Sequence, residues 1–195
     1  MEIAQKLLFI LVAEVFIENF VLTKFLGICP FLGVSKKISG SLSMGLAVMV
    51  VMVCAAIFTY PVYTFVLVPL NIAYMNTIMF ILIIALFVQI MEMALKKYFS
   101  PLYKALGVYL PLITTNCAIL GVTLLNIKNE YNFLLSVFNS FCAGLGFLMV
   151  MLIFSGIRER VEQSDVPESL KGTPITLIAA AIMSLSFIGF GGMAG

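Results

Sequence analysis

Histidine and tryptophan do not occur among the 195 residues, and charge is scarce: 11 Lys and Arg against 9 Asp and Glu, 10% of the chain. The missing histidines exclude metal sites built on imidazole. The missing tryptophans leave interfacial anchoring to tyrosines such as Tyr60, Tyr63, Tyr98, Tyr103 and Tyr131. With 63% hydrophobic residues and a mean hydropathy of +1.17, so few charges could not keep a soluble domain of this size in solution. The chain reads as an integral membrane protein.

Crossing a hydrocarbon core of ~30 Å takes roughly 20 apolar residues. Six runs reach that length: 3–27, 39–68, 72–95, 102–126, 132–157 and 173–193. The expected fold is therefore an all-α polytopic membrane protein, a single membrane domain over 1–195 that leaves water-phase chemistry to partners. The opening "MEIAQKLLFI" lacks a basic n-region and a small-residue cleavage site, so it reads as an uncleaved first span. Loops one, three and five carry Lys36, Lys37, Lys96, Lys97, Lys104, Arg158, Arg160 and Lys171, against Lys6 and Lys128 on the opposite side. The positive-inside rule then puts both termini outside the cytoplasm.

Four cysteines are present, and one offset relates them: Cys29 to Cys117 and Cys54 to Cys142, 88 residues apart in each case. Leu32, Gly33 and Val34 recur at the same offset as Leu120, Gly121 and Val122. Each copy, about 1–98 and 99–195, holds three spans, an odd number, so the second must enter the membrane from the other side. The pattern predicts a 3+3 inverted repeat.

In such folds, Gly- or Pro-interrupted spans at corresponding positions mark the functional site. The first span has Gly27, Pro30 and Gly33 around Cys29; the fourth has Gly107, Pro111, Thr114, Thr115, Asn116 and Gly121 around Cys117. Both are expected to break into half-helices, with polar side chains satisfying the freed backbone or hydrogen-bonding a bound group. A cysteine in a membrane helix is by default a small apolar filler. Cys54 and Cys142, beside alanine and glycine, suit that role. Cys29 and Cys117 sit beside helix-breaking residues instead, where either a disulfide or thiolate ligation of an iron–sulfur cluster is open to them. Two cysteines leave a [2Fe–2S] cluster two ligands short, to be completed by Cys54 and Cys142 or by a second protein chain.

Glu14 and Glu18 share a face of the first helix. A carboxylate within a span marks an ion or proton path, or pairs with a protein neighbour, and both readings stand. Glu92 has a simpler role one turn before Lys96, as an i, i+4 pair near the basic end. The segment from Gly156 to Gly172 has balanced charge and reads as a solvated loop. The terminal "GFGGMAG" follows no strand and precedes no helix, so it is no dinucleotide loop.

The run "IENFVLTKFLGICPFLGVSKK" at 17–37 resembles the A-type component of the Rnf complexes, as do "FVQIMEMALKK" at 87–97 and "LYKALGVYLPLITTNCAILGV" at 102–122. So do "AGLGF" at 143–147, "GIRER" at 156–160 and "VPESLKGTPITLIAAAIMSLSFIGFGG" at 166–192. The resemblance runs nearly end to end. It implies a membrane subunit of an ion-translocating ferredoxin:NAD oxidoreductase in a prokaryotic inner membrane, coupling electron transfer to Na⁺ or H⁺ movement. It further implies a [2Fe–2S] cluster shared with the homologous E-type component, to which Cys29 and Cys117 contribute, and assembly with the B, C, D and G components. Membrane lipid is expected around the chain and nucleic acid is not a partner. No complete active site is implied in this chain alone, and no flavin, since the Ser/Thr-Gly-Ala-Thr attachment motif of sister subunits is missing. The E-type component of the Na⁺-translocating NADH:quinone oxidoreductase is similar; Cys-Pro-Phe-Leu-Gly and Thr-Thr-Asn-Cys favour Rnf. Two other classes compete: a secondary transporter, for which the breaks offer few charges, and a structural scaffold.

Overall fold

The structure is a computed structural model that describes residues 5, 10–12, 14–15, 19–35, 38–67, 69, 75–98, 112–113 and 116–191, with the backbone alone at 66, 76, 91–92, 94–96, 98 and 190–191. Every regular element among them is helical. They are α1 (Ile28–Val34), α2 (Ile38–Val62), α3 (Asn76–Tyr98), α4 (Cys117–Lys128), α5 (Phe133–Glu162) and α6 (Thr173–Gly191). A turn of wider π winding, Tyr63–Leu67, extends α2, and a 3₁₀ turn, Glu168–Leu170, precedes α6.

The second, third, fifth and sixth predicted runs coincide with α2, α3, α5 and α6 to within a few residues. Among the described residues, the winding of α2 changes at its end. Pro61 has no N–H for the helical ladder, and the backbone widens just after it, from Tyr63. Helices α2 and α5 are long and apolar enough to cross a membrane.

The distribution of side chains is that of a membrane protein. Large apolar groups face outward, among them Phe65, Leu82, Leu86, Ile182 and Leu185. Polar ones are buried: Asn19, Asn116, Asn126, Ser136, Asn139, Ser140 and Arg158. Lipid tails are as apolar as leucine, so close packing and internal hydrogen bonds, not burial from water, hold such helices together.

Glycine sets the central contact, between α2 and α5. A Cβ on Gly144 would lie 2.6 Å from Met49 Cγ and 3.0 Å from its Cα, and one on Gly45 would lie 3.2 Å from Leu148 Cα. Residues 45 and 49 thus meet 148 and 144 in reverse order, so α2 and α5 run antiparallel. Around this crossing Met44, Val48, Val51, Met52, Phe147, Val150 and Met151 are fully enclosed. A directed polar chain joins α4 to α5: Asn139 Nδ2 donates to Asn126 Oδ1 (2.9 Å), and Asn126 Nδ2 to Ser140 Oγ (3.0 Å) and Ser136 O (3.2 Å).

Candidate cofactor site at two helix breaks

The first span is helical at 10–12, then opens from Asn19 to Gly27. Open backbone inside a membrane must find partners within the protein. Asn19 supplies them. Its Nδ2 donates to Val15 O (3.1 Å) and to Gly146 O of α5 (3.0 Å), while its Oδ1 accepts the Val21 N–H (3.2 Å). Its carbonyl accepts the N–H groups of Leu22 and Thr23 and the Thr23 hydroxyl. Gly146 has no side chain because this segment lies on it: a Cβ there would be 3.0 Å from Glu14 O and Asn19 Nδ2. Phe25 (φ 54°) and Gly27 (φ 84°) take left-handed conformations, and α1 begins.

The break therefore precedes Cys29, whereas the sequence suggested Gly27, Pro30 and Gly33 together. Of these, Gly27 alone lies in it. Pro30 is the third residue of α1, in the first turn, where its missing N–H owes no helical bond. Gly33 lies within the same helix.

The fourth span is helical at 112–113 and restarts at Cys117. Asn116 between them is extended (φ −72°, ψ 111°) and caps α4, its Oδ1 accepting the Ala118 N–H at 3.0 Å. Gly107, Pro111, Thr114 and Thr115 lie outside the described residues. Gly121 is not part of the break; it sits in α4, where a Cβ would press on Leu26 Cδ1.

The two breaks meet. The Gly27 N–H donates to Cys117 Sγ at 2.9 Å. Gly27 is doubly required: its φ is left-handed, and a Cβ would lie 2.9 Å from Phe147 Cε2 and 3.2 Å from Ala118 Cβ. Cys29, two residues on, is exposed, and Cys117 is half-buried. All four cysteines are free thiols, so the disulfide left open by the sequence is not formed. No three Cys, Asp, Glu or His side chains converge among the described residues. The donor set thus fits half of a four-thiolate [2Fe–2S] site. Cys54, half-buried on α2, and Cys142, buried on α5, do not complete it.

Arg158 is the site residue that sequence reasoning missed. Counted there as a loop cation, it belongs to α5 and is buried, 8% exposed. Its Nη1 donates to Leu32 O (2.8 Å) and Ser35 Oγ (2.9 Å), and its Nε to Glu162 Oε1 (3.2 Å). A guanidinium on the Leu32 carbonyl, in the last turn of α1, satisfies a group the helix leaves free and complements its negative end. One turn earlier Phe154 stacks on Phe31, centroids 3.9 Å apart. The Cys29 helix is thus held at its start by Phe147 and Cys117, in the middle by Phe154, and at its end by Arg158. A signal existed in the Gly-Ile-Arg-Glu-Arg motif, but composition alone makes such an arginine solvent-facing. Of the solvated loop expected over 156–172, residues 156–162 instead complete α5, and 163–172 form its solvated part around the Glu168–Leu170 turn.

Of the intramembrane acids, Glu14 is half-buried where the first span crosses α5, within electrostatic reach of Cys142. Glu18 lies outside the described residues, as do the side chains of Glu92 and Lys96. The expected pairing of Glu14 with Glu18 therefore lies outside the described residues. Ser184 of α6 donates to Leu22 O at 2.7 Å, closing the first break from its far side.

The molecule is a helical membrane protein in which two interrupted helices meet where the Gly27 N–H reaches Cys117 Sγ, with the free thiol of Cys29 two residues further along the chain. Its sequence matches the family described as "Rnf-Nqr subunit, membrane protein" over residues 7–194. It is 55% identical over 187 residues to the A-type component of the Na⁺-translocating ferredoxin:NAD⁺ oxidoreductase complex of Acetobacterium woodii, covering 96% of this chain and 97% of that one. It is 50% identical over 186 residues to the A-type components of the ion-translocating oxidoreductase complexes of Edwardsiella ictaluri and Escherichia coli, covering 95% of this chain and 96% of each. The chain belongs to the Rnf-Nqr family of membrane subunits.

Proposed function

We propose that this chain is the A-type component of an Rnf ion-translocating ferredoxin:NAD oxidoreductase complex, and that Cys29 and Cys117 provide two of the four thiolates of an intramembrane [2Fe–2S] cluster. The observation that carries the reading is the Gly27 N–H on Cys117 Sγ, which joins the Cys29 and Cys117 segments at one point. The remaining two ligands come from the homologous E-type component, which the exposure of Cys29 suits, and the B, C, D and G components complete the assembly. Such a cluster, when bound, accepts and returns one electron at a time.

The chain's own residues hold and insulate the site. Asn116 starts α4 so that Cys117 stands in its first turn, where the positive helix end favours an anionic ligand set. Phe31, Phe147 and Phe154 exclude water behind it. Arg158 fixes the helix that carries Cys29. The wider architecture of the proposal is a single membrane domain, six spans in a 3+3 inverted repeat, both termini outside the cytoplasm of a prokaryotic inner membrane. The antiparallel α2–α5 pair supports this, since these helices carry the repeat-related Cys54 and Cys142. Coupling to Na⁺ or H⁺ would follow if reduction biases which half is open, with Glu14 and Glu18 on the ion path. Equal ion accessibility in the oxidised and reduced complex would refute that step.

The names of the relatives weigh for an oxidoreductase component over a secondary transporter. The test is iron content and electron paramagnetic resonance of the reduced, purified complex. Cys29→Ser and Cys117→Ser should each lose a [2Fe–2S] signal that Cys54→Ala/Cys142→Ala retains. Loss in the alanine double variant instead would place the cluster on this chain alone.

A further inference from the structure

Asn116 uses half of its side chain to cap α4, and the other half has no partner among the described residues. The residue is 4% exposed, and its Nδ2 makes no hydrogen bond among the described residues. The orientation of the amide is settled by its other end, because the Ala118 N–H needs an acceptor and a flipped amide would set donor against donor. A buried donor without a partner costs about 1–3 kcal/mol. Capping alone does not account for it, since Ser and Asp cap about as well and bring no such donor. The carboxamide also lies where the two breaks meet: its Oδ1 is 3.4 Å from the point a Gly27 Cβ would occupy, beside the backbone N–H that reaches Cys117 Sγ.

We infer that Asn116 is a positioning residue that sets the reduction potential of the site: its Nδ2–H, with the Gly27 N–H, donates to the sulfurs of the cluster held at Cys117. This rests on the reading proposed above. Sulfide and thiolate are anionic acceptors for which a buried amide donor is suited, and their negative charge grows when the electron arrives. A donor fixed at that position stabilises the reduced state more than the oxidised one and raises the potential. Cys117 itself stays a ligand whether or not the donor is present, so the role is separable from ligation.

The experiment uses the whole complex purified from membranes, with redox titration followed by electron paramagnetic resonance of the signal that Cys117→Ser abolishes. Asn116→Ser keeps a cap and removes the Nδ2 donor without adding charge; Asn116→Asp keeps the cap and the shape. With signal intensity and iron content unchanged, Asn116→Ser should lower the reduced-to-oxidised ratio at the wild-type midpoint by about tenfold, ~59 mV for one electron. Asn116→Asp should shift it further in the same direction. A wild-type midpoint in Asn116→Ser would overturn the role of Asn116 while leaving the cluster in place. Loss of the signal in both variants would make Asn116 a building element and overturn the tuning. A wild-type complex with no signal dependent on Cys29 or Cys117 would overturn the proposed function, and this inference with it.

Discussion

Replacing Arg158 by Met keeps an apolar stem in the α5 contact and removes the guanidinium that ends α1. Two hydrogen bonds go with it, to Leu32 O and Ser35 Oγ, leaving one acceptor half-buried and the other fully buried. Hydrogen bonds to a charged group contribute about 1.5–3 kcal/mol each, and the stranded acceptors add a desolvation cost. The bond to Glu162, whose side chain is 53% exposed, adds little, roughly 0.5 kcal/mol or less. The expected loss is therefore about 3–5 kcal/mol, concentrated on a helix of seven residues. At ~1.4 kcal/mol per decade, local opening of α1 should become more frequent by about two to three and a half orders of magnitude. Hydrogen exchange of peptides spanning 28–35 in the detergent-solubilised complex reads this directly. Arg158→Lys, with the charge but no planar fork, should fall between the two, and Glu162→Gln should match the wild type. Unchanged α1 exchange in Arg158→Met would refute the clamp.

Two glycines of α5 should respond oppositely to alanine. Gly144→Ala forces a Cβ against the Met49 backbone and should destabilise the α2–α5 pair by about 1–3 kcal/mol, while Gly156→Ala meets nothing within 4 Å and should stabilise by about 0.5–1 kcal/mol; thermal unfolding in detergent separates them. Asn19→Leu removes the partners of Val15 O, Gly146 O and the Val21 N–H at once and should lower the yield of folded protein sharply; full yield with an unchanged melting temperature would count against the break as drawn. In the isolated chain a maleimide should label exposed Cys29 much faster than buried Cys142, and assembly into the complex should protect Cys29; equal rates would contradict the placement of both.

The helical spans were legible in the sequence because length and apolarity are local properties, and the bilayer imposes one length on all of them. The cysteine offset, likewise a matter of counting, pointed to the two segments that meet. Pro30 and Gly33 show where reading ran out. Both are helix breakers by type, yet a proline in the first turn of a helix breaks nothing, and only the position of that turn tells the cases apart. Asn19, an ordinary residue in the sequence, repairs the break through a bond to Gly146, 127 residues away.

By itself, then, the sequence determined that this is a helical membrane protein with two cysteine motifs at interrupted spans. Hydropathy, spacing and helix-breaking composition are readable along one dimension. Only the tertiary structure decided that the two motifs touch, through Gly27 N–H and Cys117 Sγ, and that Arg158 turns inward to hold the Cys29 helix. Whether a cation faces water or a helix end depends on what the fold packs beside it. That depends on contacts between segments far apart in the chain, which no local pattern encodes.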